Sequence, residues 1–144
     1  MKDSLRLEWV EDKARLDNAD ADALRQYYRQ LLQTQAFPVS LEMPAVLMVD
    51  EEAMKSLLDS TPKEHPPETS LQVKRQGAPW LWAVDVDHHF DGDQEEQYTG
   101  TLKVAVSSLI QNFFPVMATG IMGMEELQPA EGDNDVWFSV YNPY

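Results

Sequence analysis

The chain has no cysteine among its 144 residues. Disulfides, thiol catalysis and Cys-ligated zinc are excluded together, and the absence fits a reducing compartment. Basic residues are scarce in the second half: from residue 77 onward Lys103 is the one Lys or Arg. Nucleic-acid binding rests on Lys and Arg neutralising phosphates, so that class is disfavoured. The remaining basic concentrations, Lys74-Arg75 and the Arg25/Arg29 helix face, read as a solubilising strand end and a solvated face. No apolar run approaches the ~20 residues of a membrane-crossing helix. The longest candidate, from Val104 to Met124, is interrupted by Ser107, Ser108, Gln111, Asn112, Pro115, Gly120 and Gly123. The first eight residues lack the apolar stretch of a secretory signal. These absences predict a cytoplasmic protein with neither nucleic acid nor membrane as partner.

What is abundant is acid. Asp and Glu number 25 against 11 Lys and Arg, for a formal net charge of −14. Eleven of the acids lie from residue 77 onward, so that half carries −10 of the total. Such a field draws in cationic partners and repels anionic ones, while self-repulsion opposes compaction. The 43% hydrophobic content is nonetheless enough for a core, and the length suits one domain spanning residues 1–144.

Periodicity predicts an α+β fold, with about five strands in a mostly antiparallel or mixed sheet and three or four helices. Leu5, Leu7 and Trp9 alternate with Arg6 and Glu8 as a first strand. Leu24, Tyr27, Tyr28, Leu31 and Leu32 fall at helical spacing after Asp20, predicting a helix over about 20–35 that ends before Pro38. Residues 45–49 form an apolar run of strand length. Asp50 follows as an N-cap, and Glu51 and Glu52 sit where a helix dipole favours acids. Met54, Leu57 and Leu58 mark the stripe of that helix, to about Ser60. Residues 61–69, with Pro62, Pro66 and Pro67, read as a loop, and Leu71 and Val73 as a short strand. After a turn at 76–79, residues 80–86 predict a central strand and residues 101–106 another. Ser107 or Ser108 caps a helix limited by Pro115. Met124 to Leu127 suit a helical turn, and residues 136–141 a final strand. The expected core includes Leu31, Leu47, Val49, Leu57, Trp82, Val84, Val104 and Phe138.

Several clusters invite chemistry. Asp85, Asp87, His88, His89, Asp91 and Asp93 crowd one short segment, as ligands of a hard cation or zinc would. An EF-hand-type loop needs a bidentate acid six residues past Gly92, where Tyr98 stands. The segment therefore reads as a solvated loop, with no metal and no cofactor expected. Ser107, Ser108 or Ser139 with His65, His88 or His89 would make a nucleophile–base pair, but no Gly-x-Ser-x-Gly elbow occurs. Gly120-Ile121-Met122-Gly123 lacks the glycines and lysine of a phosphate loop. The expectation is not an enzyme. Phe113, Phe114, Val116, Met117, Ile121, Met122 and Met124 read first as core, and alternatively as an adaptable Met-rich surface. Trp80 and Trp82 share a strand face, as a core wall or an aromatic binding stripe.

Binding of a cationic protein fits best. The candidate contact residues are Asp87, Asp91, Asp93, Glu95, Glu96 and Tyr98 in one loop, with Glu131, Asp133, Asp135 and Trp137 at the last turn. Carboxylates beside an aromatic ring suit Arg or Lys, which pair with the former and stack on the latter. Met124-Glu125-Glu126-Leu127 followed by residues 131–138 gives a short acidic helix, an acidic turn and a final strand. In size, charge and loop architecture the chain resembles the bacterial immunity proteins, small acidic cysteine-poor cytoplasmic domains that neutralise a toxin. The resemblance implies a basic, nuclease-type toxin domain as partner. The alternative is a small acidic secretion chaperone or adaptor that holds an effector segment on the Met-rich stretch. A DNA mimic and a metal-dependent enzyme using the 85–93 segment rank below.

Overall fold

The computed structural model describes residues 10–34, 45–59, 77–88, 99–127, 129 and 135–139. The chain forms two compact units, Met1–Met43 and Pro44–Tyr144. Together their described residues make an α+β protein with a four-stranded mixed sheet. The expected strands at 5–9 and 71–73 lie outside the described residues.

In the first unit, α1 (Lys13–Leu16) leads into α2 (Ala21–Gln33) through Asn18, whose φ of 56° is left-handed. Of the several N-cap candidates at residues 17–20, Asp20 caps α2, its Oδ1 accepting the Ala23 N–H at 2.8 Å. Tyr28 is buried on the predicted apolar stripe, while Leu31 is only half-buried. The helix departs from expectation at Arg25. This residue is only 4% exposed, not part of a solvated face. Its guanidinium is paired with Asp22 at 2.7 Å, and a long aliphatic stem lets an arginine be covered while its charge is satisfied.

The second unit holds the sheet, in the order β1 (Ala45–Met48), β2 (Trp80–Asp85), β3 (Thr101–Ala105) and β4 (Val136–Trp137). β1 runs antiparallel to β2, with Met48 opposite Trp82, and β2 antiparallel to β3, with Trp82 opposite Lys103. β3 and β4 are parallel, with Val104 opposite Trp137. A parallel neighbour needs a long crossover, which residues 106–135 supply.

Alternation gives the sheet two faces. Helix α3 (Glu51–Asp59) lies against the face of Trp80 and Trp82. Asp50 caps it, accepting the Ala53 N–H at 2.8 Å. The buried stripe is displaced from the expected one. Ala53 is buried and the Ser56 hydroxyl reaches the backbone of Trp80 at 3.2 Å, whereas Met54 is exposed and Leu58 is 75% exposed. Small residues let the helix approach the strand closely, which turns the larger apolar side chains outward. Val49 is exposed too, because β1 stops one residue before it.

The opposite face carries Leu102 and Val104, both buried. There α4 (Val106–Ser108), a π-helical turn (Leu109–Phe113) and α5 (Phe114–Thr119) follow one another without a break. Pro115 does not end this helix as expected. The π turn bonds the Phe114 N–H to the Leu109 carbonyl, five residues back, so Pro115 opens a new first turn where its missing N–H is tolerated. Ser108 does not cap the helix. Its fully buried hydroxyl accepts the Ser139 N–H at 3.1 Å, tying the chain after β4 to the crossover. Gly120, with φ of 64°, closes α5 as a left-handed cap, and a 3₁₀ turn (Met124–Glu126) follows. Phe113, Val84 and Val104 are the largest fully buried apolar side chains, and Phe138 joins Ala105 and Val136 in the core.

Candidate functional site

The residues expected to bind a partner fall into two groups. Asp91, Asp93, Glu95, Glu96, Tyr98, Glu131 and Asp133 lie outside the described residues. Asp87, Asp135 and Trp137 lie within them. Asp87 is exposed just past β2, where its N–H bonds to Asp85 Oδ1 at 3.0 Å. This local turn carries the chain off the sheet into the acidic segment. Asp135 is exposed immediately before β4, in the left-handed region at φ of 65°. Trp137 is half-buried, with its ring 6.2 Å from that of Phe113 in an edge contact. Its indole therefore contributes to packing of the crossover on the sheet.

One arrangement was not foreseen. The Lys103 ammonium lies 4.5 Å from the ring centroid of Trp80 and 5.1 Å from that of Trp82. The two indoles meet edge-on at 5.2 Å, and Glu52 reaches the same ammonium at 3.9 Å. The Trp82 indole N–H donates to Asp50 Oδ2 at 2.8 Å. The period-two spacing of the tryptophans puts them on one face. That Lys103 stands opposite Trp82 depends on the strand register, which the sequence does not display. The arrangement is mainly structural: it joins α3 to β2 and β3. It has an electrostatic consequence as well. The single cation of the C-terminal half is held by two rings and by a carboxylate of α3, upstream of that half.

Several large apolar side chains are exposed, among them Val10, Val49, Met54 and Leu58. Within the Met-rich stretch Phe113, Met117 and Met124 are buried, as its core reading expects. Ile110, Ile121 and Met122 are instead 57%, 80% and 40% exposed. Glu125 and Glu126 are exposed beside the last two.

For chemistry the described residues offer little. None of them groups three His, Asp or Glu side chains as a metal ion would need. Ser108 and Ser139 are both buried. Among the described residues no helix is long and apolar enough to cross a membrane. No protein-family model matches the sequence, no curated protein is significantly similar to it, and no solved structure matches it.

Proposed function

We propose that this chain is an acidic protein-binding inhibitor of the immunity-protein kind, acting in the cytoplasm. It neutralises a basic, nuclease-type toxin domain by direct binding and uses no metal or cofactor. The observation that supports this reading is the excess of acid: −10 in formal charge over residues 77–144, whose one Lys or Arg, Lys103, lies against Trp80, Trp82 and Glu52. A toxin that binds phosphates must be basic. An acidic surface then gives steered, fast association and discriminates against most other proteins. The contact residues of this reading are the acids of the 87–96 loop and of the 131–135 turn, with Tyr98 or Trp137 as aromatic anchor.

The exposure of Ile110, Ile121 and Met122 favours a second reading, a chaperone that holds an apolar effector segment. The product of the reading frame beside this gene separates the two. The inhibitor reading expects a folded basic domain, bound one to one, whose nuclease activity disappears in the complex. A homodimer that binds only an unfolded segment of that product would establish the chaperone instead.

A further inference from the structure

The segment between Gly120 and Leu127 shows two large apolar side chains to solvent on a backbone that is held at both ends. On one side Gly120 closes α5, with its N–H on the Met117 carbonyl at 3.3 Å, and Met117 is buried. On the other side the Glu126 carboxylate accepts the Gly123 N–H at 2.8 Å, and the Glu126 and Leu127 N–H groups bond to Gly123 and Met124. Met124 and Leu127 are themselves buried. The exposure of Ile121 therefore belongs to a turn pinned into the core before and after it. Among the described residues, a Cβ at Gly120 would meet no atom within 4 Å, and one at Gly123 would meet only the Glu125 side chain, at 4.0 Å. A partner can therefore approach the turn closely from either glycine.

The surrounding charge restricts what that partner can be. Glu125 and Glu126 are exposed next to the turn. From Val104 to Tyr144 the sequence contains five acids and no Lys, Arg or His. An apolar protrusion with such a border complements an apolar recess bordered by Lys or Arg. It is repelled by an anionic surface and by its own copy.

We propose that Ile121 and Met122 form a preorganised apolar knob that seats in a Lys- or Arg-bordered apolar recess of a folded protein partner. The proposal rests on the inhibitor reading for the identity of that partner, and adds an apolar anchor to the aromatic one of that reading. A rigid turn loses little freedom on binding, and a flexible Met beside a branched Ile adapts to the recess.

The test uses the whole chain and, as probe, a folded Leu/Lys helical-hairpin peptide whose Lys-bordered apolar groove supplies the recess, with a Ser/Lys and a Leu/Glu peptide as controls. The Leu/Lys peptide should bind at least tenfold more tightly than either control, and amide shifts should concentrate on residues 120–127. The I121S/M122S variant should weaken binding at least tenfold with an unchanged melting temperature. The E125Q/E126Q variant keeps an acceptor for the Gly123 N–H and should weaken binding severalfold at low salt only. Unaltered affinity of I121S/M122S, or shifts confined elsewhere, overturns the knob. So does partitioning into zwitterionic vesicles, or a dimer that I121S/M122S dissolves. The two readings fail separately. If I121S/M122S binds the neighbouring gene product like wild type while reversal of Asp91, Asp93, Glu95 and Glu96 slows it, the knob is wrong and the inhibitor stands. If the peptide binds at 120–127 but the gene product does not bind at all, the inhibitor is wrong and the knob stands.

Discussion

Asp50 joins α3 to Trp82 through the two oxygens of one carboxylate. Oδ1 accepts the Ala53 N–H and Oδ2 accepts the Trp82 indole N–H, each at 2.8 Å. The residue is at once a helix cap and the polar partner that a half-buried indole requires. Replacing it with Ala removes both. The expected loss is about 0.5–2 kcal/mol for the cap plus about 1–3 kcal/mol for the indole left without its acceptor. Trp82→Phe should cancel the second part when combined with Asp50→Ala. Urea unfolding of the two single variants and the double variant measures it as a double-mutant cycle. Strict additivity would mean that the Asp50–Trp82 bond carries no stability.

Lys103 is attractive to both tryptophans but remains partly open to water, so its contribution is modest. Lys103→Met keeps the stem and deletes the charge. The expected loss is about 0.5–1 kcal/mol from the cation–π contacts and about 0–1 kcal/mol from Glu52. Tryptophan emission should shift, since the charge lies within 4.5–5.1 Å of both rings. An unchanged spectrum would place the ammonium elsewhere.

Apolar side chains that look equivalent in sequence should differ sharply. Phe113 is fully buried against Phe114 and Trp137, so Phe113→Ala should cost about 3–5 kcal/mol. Leu58, at 75% exposed, should tolerate Ala within about 0.5 kcal/mol. Equal losses in thermal melts would contradict the placement of α3.

The contrast also marks how far the sequence could be read. Local signals sufficed where they act over a few neighbouring residues: Asp50 as a cap, the apolar run at 80–86 as a strand, alternation along 101–106 as another. They failed where packing between elements decides. The α3 stripe follows Ala53 and Ser56 because those small residues let the helix approach β2, and no periodicity of Met54, Leu57 and Leu58 reveals that. Pro115 is absorbed by a π turn at 109–113, which no local pattern in the sequence announces. Arg25 is covered although it sits in a charged pattern. Of the candidate site, the excess acid and the pairing of Trp80 with Trp82 were legible. The capture of Lys103 depends on register, and the exposure of Ile121 on how the turn after α5 is anchored.

Repulsion within the C-terminal half should make stability depend on salt. Screening acts over about 8–10 Å at physiological strength, and residues 77–144 contain eleven acids and one Lys or Arg, Lys103. The melting temperature at neutral pH should rise between low and moderate sodium chloride. A flat or falling curve would mean that the acids are already paired.

The central claim is that the acidic half binds a cationic protein, and association kinetics test it most directly. Binding to the basic product of the neighbouring reading frame should be fast at low salt, with an on-rate that falls steeply with ionic strength. Reversal of Asp91, Asp93, Glu95 and Glu96 together should slow association at least about tenfold at low salt while the chain still folds and melts cooperatively. An on-rate indifferent to salt, and unchanged by that reversal and by a matching one at Glu131, Asp133 and Asp135, would contradict the account.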